Sequence, residues 1–369
     1  MAKTSRIDNI REYYEKNESF FAIGFFVCGF IFDLVTLDRI DSWVTIGSQT
    51  FYLLVIHAAL MQMFFEEGSP PLNLEKTWAL KRWYYEYRTA IIHFFFGNLL
   101  NLYTIFFFKS SSLLVSFAFI SALIAILLAN ESNRFKSLDL SFKFGLLALC
   151  YLAFFAYLVP IFAGSINTVV FLFSMSIGSL PLVCVGWWIQ NYRASYFESA
   201  KSQILLPMGG VLFTFLALYF FKLIPPVPLS IPFIGVYHSV EKTDNVYKLG
   251  HERPWWKIWQ SGDQLFYAQK DDKIYVAFRI FSPTNFADRV SMRWYWKDNA
   301  QGWLLQDSIP IRIVGGRNEG FRGFGTKSNY QPGEWKVQVE TTDGREIGRV
   351  YFNLEITDEE PRTFEYDFM

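Results

Sequence analysis

The chain has 369 residues, with 34 basic and 34 acidic side chains, so its formal net charge is zero. It is 52% hydrophobic, 20% aromatic and only 18% charged. This excludes a disordered or collagen-like chain and a nucleic-acid-binding protein, which needs a basic excess. It also speaks against a single soluble domain, where roughly 25% of residues are charged.

The average conceals two halves. Residues 1–225 carry 16 basic and 14 acidic side chains, about 13% of that stretch. Residues 226–369 carry 18 and 20, about 26%. The first half has the composition of a membrane domain and the second that of ordinary soluble protein.

The chain opens with a polar leader, residues 1–18, which reads as a short amphipathic cytoplasmic helix. It is too long for a signal peptide, and no small-x-small cleavage site follows. A membrane helix needs about 20 mostly apolar residues. Within 19–225, seven stretches qualify: 19–37, 43–65, 89–108, 111–129, 144–163, 167–188 and 204–224. The third and fourth meet at Lys109-Ser110 and the fifth and sixth at Gly164-Ser165, so each pair reads as a tight helical hairpin. Counts of six or eight stay open.

Lys and Arg sort to one side. The leader and the connectors 66–88, 130–143 and 189–203 hold 13 of them, whereas the alternate connectors hold only Arg39 and Lys109. By the positive-inside rule the amino terminus is cytoplasmic, and seven spans put the carboxyl-terminal domain outside, in the periplasm of a Gram-negative cell. No cytoplasmic connector exceeds about 25 residues, so no catalytic domain fits inside.

Polar side chains within spans are the default functional candidates, because hydrocarbon disfavours them. Here they are Asp33, Gln49, His57, His93, Asn98 and Asn101. His93, Gly97 and Asn101 recur every four residues and share one helical face. The set either lines a small polar path or joins helices by hydrogen bonds. The Phe-rich runs read as lipid-facing filler. Cys28, Cys150 and Cys184 all lie in spans, where Cys behaves as a small apolar residue. Neither a disulfide nor a metal site is expected.

A Pro-rich linker, residues 226–232, leaves the last span. Alternation of period two then marks half-buried strands at 274–280, 290–296, 335–339 and 350–356. Turn signals punctuate them at Asp271-Asp272, Asp298-Asn299, Gly315-Gly316, Pro332-Gly333 and Asp343-Gly344. Residues 233–357 therefore read as a β-sandwich, followed by an acidic tail, 358–369. The Gly-rich segment Gly320–Gly325 reads as a loop between strands.

The segment His251–Trp259 concentrates Trp255, Trp256 and Trp259 beside Arg253 and Lys257. Such a cluster suits a membrane-water interface or stacking on a sugar ring. The plainer alternative is a loop that caps the sandwich core. No Walker loop, Gly-x-Ser-x-Gly, His-Glu-x-x-His or Cys-x-x-Cys motif occurs. The chain is therefore not expected to be an enzyme, and no cofactor is implied.

Residues 315–352, with sequence GGRNEGFRGFGTKSNYQPGEWKVQVETTDGREIGRVYF, resemble the carboxyl-terminal core of the bacterial domain-of-unknown-function family 2914. Trp294, Arg322, Thr326, Lys327, Pro332, Gly333, Trp335, Val337, Asp343, Gly344 and Gly348 carry the resemblance. The pattern departs at Arg293, where the family pattern leads one to expect His. The resemblance implies an Ig-like sandwich behind several membrane spans, with mainly structural motif residues and no known activity. The expected function is a non-enzymatic inner-membrane protein whose periplasmic module binds a protein partner or an envelope component. The alternative is a small transporter or transport accessory that uses the intramembrane polar cluster.

Overall fold

A computed structural model describes residues 40–67, 78–110, 113–130, 138–243, 246–269, 271–284, 286–315, 320–357 and 362–369. The leader, the first expected span 19–37 and Asp33 lie outside these residues.

Six long apolar helices follow in chain order. They are α1 (Trp43–Glu66), α2 (Ala79–Lys109), α3 (Leu113–Asn130), α4 (Leu140–Ala163), α5 (Thr168–Tyr192) and α6 (Leu206–Phe220). Among the described residues, five helices are long and apolar enough to cross a membrane, one of them running from Ala194 through α6; α3 supplies a shorter apolar one. Six of the seven expected spans overlap these helices, two of which extend further than expected; the first span lies outside the described residues, so a count of seven is not shown. Helix α2 begins ten residues earlier than expected. Its 31 residues extend about 46 Å, well beyond a hydrocarbon core of about 30 Å. The added turns hold Lys81, Arg82 and Arg88, and Arg88 ties back to Glu66 of α1 at 2.5 Å. Helix α5 runs on through Trp187, Trp188 and Tyr192, aromatic residues exposed at its end, as at a membrane interface. Before α6, residues Lys201–Leu205 form a π-helical turn. Pro207 lacks an N–H and meets the preceding carbonyls poorly, which accounts for the local loosening.

The described residues divide into two compact units. The first holds the described residues up to 105 together with 120–154 and 177–214. Its helices bury one face and leave the other apolar. On α1, Leu53, Ile56, Leu60 and Phe64 are buried at helical spacing, while Phe51 and Leu54 are exposed. A helix bathed in lipid has this pattern, since its outer face meets hydrocarbon rather than water. Gly178 lets α5 approach α4 closely: a Cβ there would lie 3.3 Å from the Leu152 Cα.

The second unit holds 106–119, 155–176 and 215–369. Its core is a β-sandwich. One sheet has the order β4-β10-β9-β6-β7, formed by β4 (Leu265–Ala268), β6 (Ala287–Asp298), β7 (Gly302–Val314), β9 (Gly333–Thr341) and β10 (Glu346–Ile356). The facing sheet has the order β1-β5-β8, from β1 (Ser230–Tyr237), β5 (Ile274–Phe281) and β8 (Phe321–Lys327). Val276, Phe278 and Ile280 of β5 meet Met292, Trp294, Trp335, Val337, Phe352 and Leu354 in one buried cluster. The alternation read from sequence thus assigns the correct face in the four expected strands, except at Ile356, which is exposed at the end of β10. A third sheet, β11-β3-β2, comprises β2 (Ser239–Thr243), β3 (Val246–His251) and β11 (Glu365–Phe368). Leu249 and Met369 pack with Tyr237 and Ala277, which alternate with the core residues of β1 and β5.

Three expectations are corrected. The Gly-rich segment is not a loop: from Phe321 it is strand β8, paired with β5 from Ile280↔Phe321 to Ile274↔Lys327. Glycine is depleted in strands, which hid it. Here the space is already occupied, because a Cβ on Gly325 would come within 2.5 Å of Met292 Sδ. The linker shortens, since β1 starts at Ser230. The acidic tail ends in a strand, β11, that pairs with β3.

The sandwich and the helix ends of this unit share hydrogen bonds. In the turn between α4 and α5, the Gly164 carbonyl accepts from Ala287 N–H at 2.9 Å. Ile166 N–H donates to Asp288 Oδ2 at 2.7 Å. In the β9–β10 turn, Asp343 Oδ2 accepts from the Tyr219 hydroxyl of α6 at 2.7 Å and from Arg345 Nε at 3.0 Å. Gly344, at φ +78°, makes this turn possible.

The two largest core side chains differ in one atom's fate. Trp335 Nε1 donates to the Gln331 carbonyl at 2.9 Å. Trp294 Nε1 has no hydrogen-bond partner among the described residues. Trp335→Phe is therefore expected to cost about 1 kcal/mol more than Trp294→Phe, since only the former breaks a hydrogen bond. Denaturation midpoints of the two variants check this.

Candidate binding site

The intramembrane candidates resolve into separate contacts. His57 Nδ1 lies 2.9 Å from the Tyr151 hydroxyl, which joins α1 to α4. His93 Nδ1 lies 2.9 Å from Asn130 Oδ1, and Asn130 Nδ2 donates to the His93 carbonyl at 3.1 Å. An amide oxygen only accepts, so His93 Nδ1 carries the proton. Asn98 donates to its own helix, at the Phe94 carbonyl (2.8 Å). Gln49 is buried on α1, and Asn101 is half-buried on α2. Tyr151 and Asn130 are partners that sequence reading missed. A lone Tyr or a terminal Asn in an apolar helix gives no signal of which helix it will meet.

The Trp segment does not cap the core. His251 ends β3, and the chain then turns outward through 252–261. Trp255 is 77% exposed, Ile258 85% and Trp259 73%. The loop is anchored beneath by polar contacts. Arg253 pairs with Asp367 of β11 at 2.9 Å and donates to the Gln260 carbonyl. Asp263 accepts from Glu252 N–H with both oxygens at 3.1 Å. The aromatic side chains are thus held out by a rigid base.

Trp259 stands on the wall of a groove of about 560 Å³, within the usual range for ligand sites. On β10, the residues from Arg349 to Asn353 line the groove. Residues Ile231 to Ile234 of β1 line it too. Trp303 of β7 closes one end, its ring 5.7 Å from that of Tyr351. Two of the cations here carry partners. Arg349 Nε meets Glu346 at 2.5 Å, and Lys297 meets Glu334 at 2.8 Å.

A second polar cluster lies under β11. His238 Nδ1 accepts from Arg362 Nη2 at 3.0 Å. Its Nε2 faces Glu252 at 3.4 Å and Asp263 at 3.6 Å. Arg362 also meets Glu252 at 3.0 Å and Asp272 at 2.7 Å. Burial, helped by the Arg362 charge, holds His238 down to about 3. Burial pushes Asp263 up to about 7. Between those values both groups are neutral, so their contact is no ion pair.

The family-motif residues fall where a structural role puts them. Trp294 and Trp335 are core. Lys327 Nζ pairs with Asp307 and lies 5.3 Å over Trp335. The Pro332 carbonyl accepts from Trp296 Nε1 at 3.1 Å, and Gly333 opens β9. Arg322 Nη1 donates to the Met369 carbonyl at 3.3 Å. Asp343 and Gly344 form the turn bound to Tyr219.

No curated protein matches this chain. Among solved structures, it is similar to an immunoglobulin-like protein from Pseudomonas aeruginosa at 10% identity, over 35% of this chain and 98% of that one, with a TM-score of 0.22. It is also similar to a β-glucosidase from Listeria innocua at 12% identity, over 25% of this chain and 15% of that one, with a TM-score of 0.18. At residues 287–354 the chain matches the family model described as "Protein of unknown function (DUF2914)", which covers the strands and turns that carry the motif residues.

Proposed function

We propose that this is a non-catalytic protein of the bacterial inner membrane, whose helices present the sandwich on the periplasmic side to bind a protein partner or an envelope component. The observation that carries the reading is the presentation itself. The sandwich is bonded to helix ends through Gly164, Ile166 and Tyr219, while its Trp loop projects outward with no core to fill. In the same unit, the sequence stretch 109–112 holds only Lys109, and 164–167 holds no Lys or Arg. The cation-rich connectors 66–88, 130–143 and 189–203 join the alternate helix ends, which supports a cytoplasmic amino terminus. The transport alternative draws less support, because His57 and His93 have partners in other helices, as packing residues do.

Two measurements test the proposal. A reporter active in only one compartment, fused after Met369, should be active in the periplasm; cytoplasmic activity overturns the orientation. In mild detergent, a partner should co-purify with the full chain and be lost when 233–369 are deleted. Retention of every partner by the truncated chain overturns the binding role of the sandwich.

A further inference from the structure

We infer that the groove between β1 and β10 binds a strand of neutral pyranose sugars, an inference that rests on the binding-module reading above and names its ligand class. A pyranose has two kinds of surface. Its C–H faces are apolar and flat, and its rim is a ring of hydroxyls, each both donor and acceptor. A site for it needs exposed aromatic faces flanked by planar polar side chains that can donate and accept.

The groove supplies both. Trp259 stands 73% exposed on one wall. Tyr351 and Trp303 also line the groove, their rings 5.7 Å apart, so with Trp259 they put three aromatic side chains on its lining. Between them Gln264, Glu334 and Asn353 offer amide and carboxylate groups. Neighbouring turns add to the fit, because the loop that carries Trp259 is fixed at both ends by Arg253 and Asp263, so little order is lost on binding.

Charge selects among ligands. The two charged residues on the lining are each paired with an opposite charge, Arg349 with Glu346 and Glu334 with Lys297. A neutral, hydroxyl-rich chain is what remains. A bilayer surface is the competing occupant for exposed Trp.

The experiment uses the full chain in lipid nanodiscs. Chitotetraose, cellotetraose and purified peptidoglycan sacculi are the probes, with calorimetry for the soluble sugars and co-sedimentation for sacculi. Saturable binding of at least one probe is expected. Trp259→Ala and Trp303→Ala should each raise Kd about tenfold, as loss of one stacking platform does. Trp255→Ala, outside the groove lining, should leave Kd within about twofold. Trp259 is exposed, so its truncation does not threaten folding, and an unchanged melting curve verifies this. Absence of saturable binding to all three probes overturns the inference, as does binding that Trp259→Ala leaves unchanged. Brominated lipid provides the other arm: quenching of tryptophan emission that falls when Trp259 is replaced would seat this side chain in the bilayer and also overturn it. If sugars fail to bind but a protein partner still requires 233–369, the binding-module reading stands and only the sugar inference falls. If neither is found, both fall.

Discussion

Replacing Asp343 with alanine is expected to cost about 3 kcal/mol, because it removes the carboxylate from a buried pair and strands its cation. Asp343 accepts from Tyr219, Thr341 and Arg345, and Arg345 Nη2 lies 2.9 Å away with only 5% of its side chain exposed. Burial alone would raise the Asp343 carboxyl, but Arg345 and the hydroxyl donors outweigh it and hold the group below its ordinary value of 3.8. A depressed carboxylate contributes stability above the unfolded value and loses it only as pH falls through the lower folded value. The contact between α6 and the β9–β10 turn should therefore persist through mild acid. The double variant Asp343→Ala with Arg345→Met should recover much of the loss, since removing both charges leaves nothing buried and unpaired. Denaturation of the full chain in nanodiscs, followed by sandwich tryptophan emission, reads both values. A loss below about 1 kcal/mol for Asp343→Ala, the range of an exposed pair, would sink this account of the junction.

The same residues show what sequence makes visible. Asp343-Gly344 is legible as a turn from local chemistry, because Gly tolerates positive φ and Asp bonds nearby backbone. That the turn also holds a helix is not legible, since Tyr219 lies 124 residues earlier and reads as one more aromatic in a span. Strands β5, β6, β9 and β10 were readable because one face of each is buried and the other wet. Strand β7 was not, for most of its residues are exposed and its alternation is weak. Strand β11 reads as a charged tail because Asp367 is there for Tyr237, His251 and Arg253, partners that only the fold brings close. The candidate site divides likewise. The three Trp of the loop stand out in composition, yet whether they fill a core or face outward depends on Arg253 and Asp263 beneath them. Trp303 and Tyr351 complete the groove only through sheet order. The intramembrane set was legible as a list of polar residues, whereas the pairings of His57 with Tyr151 and of His93 with Asn130 depend on which helices touch.

The opposed shifts of Asp263 and His238 predict that Asp263→Asn is more stable than the parent at pH 8 yet loses that advantage in acid. Asp263 is 2% exposed, and burial lifts it from 3.8 to about 7. Its folded form keeps a proton that the unfolded chain releases, so its contribution is fully present below about pH 4. That contribution is lost as pH rises to about 7, where the buried carboxyl must ionise. About 3 units at 1.36 kcal/mol each put the span on the order of 4 kcal/mol. His238 runs the other way. Held down to about 3 from 6.5, it stays neutral in the folded chain while the unfolded chain takes up a proton. Stability from His238 is therefore present above about 6.5 and falls as pH drops toward 3. In the parent the two slopes offset each other between about pH 4 and 6.5. Asparagine still accepts from Glu252 N–H but cannot ionise, so only the His238 slope remains. The variant should exceed the parent by a few kcal/mol at pH 8, with the difference shrinking steadily from pH 6.5 to pH 4.5. Denaturation midpoints at pH 8, 6.5, 5.5 and 4.5 measure it. A difference that stays constant across this range would show that Asp263 titrates near 3.8 in the folded chain and that the cluster under β11 is wetter than its burial implies.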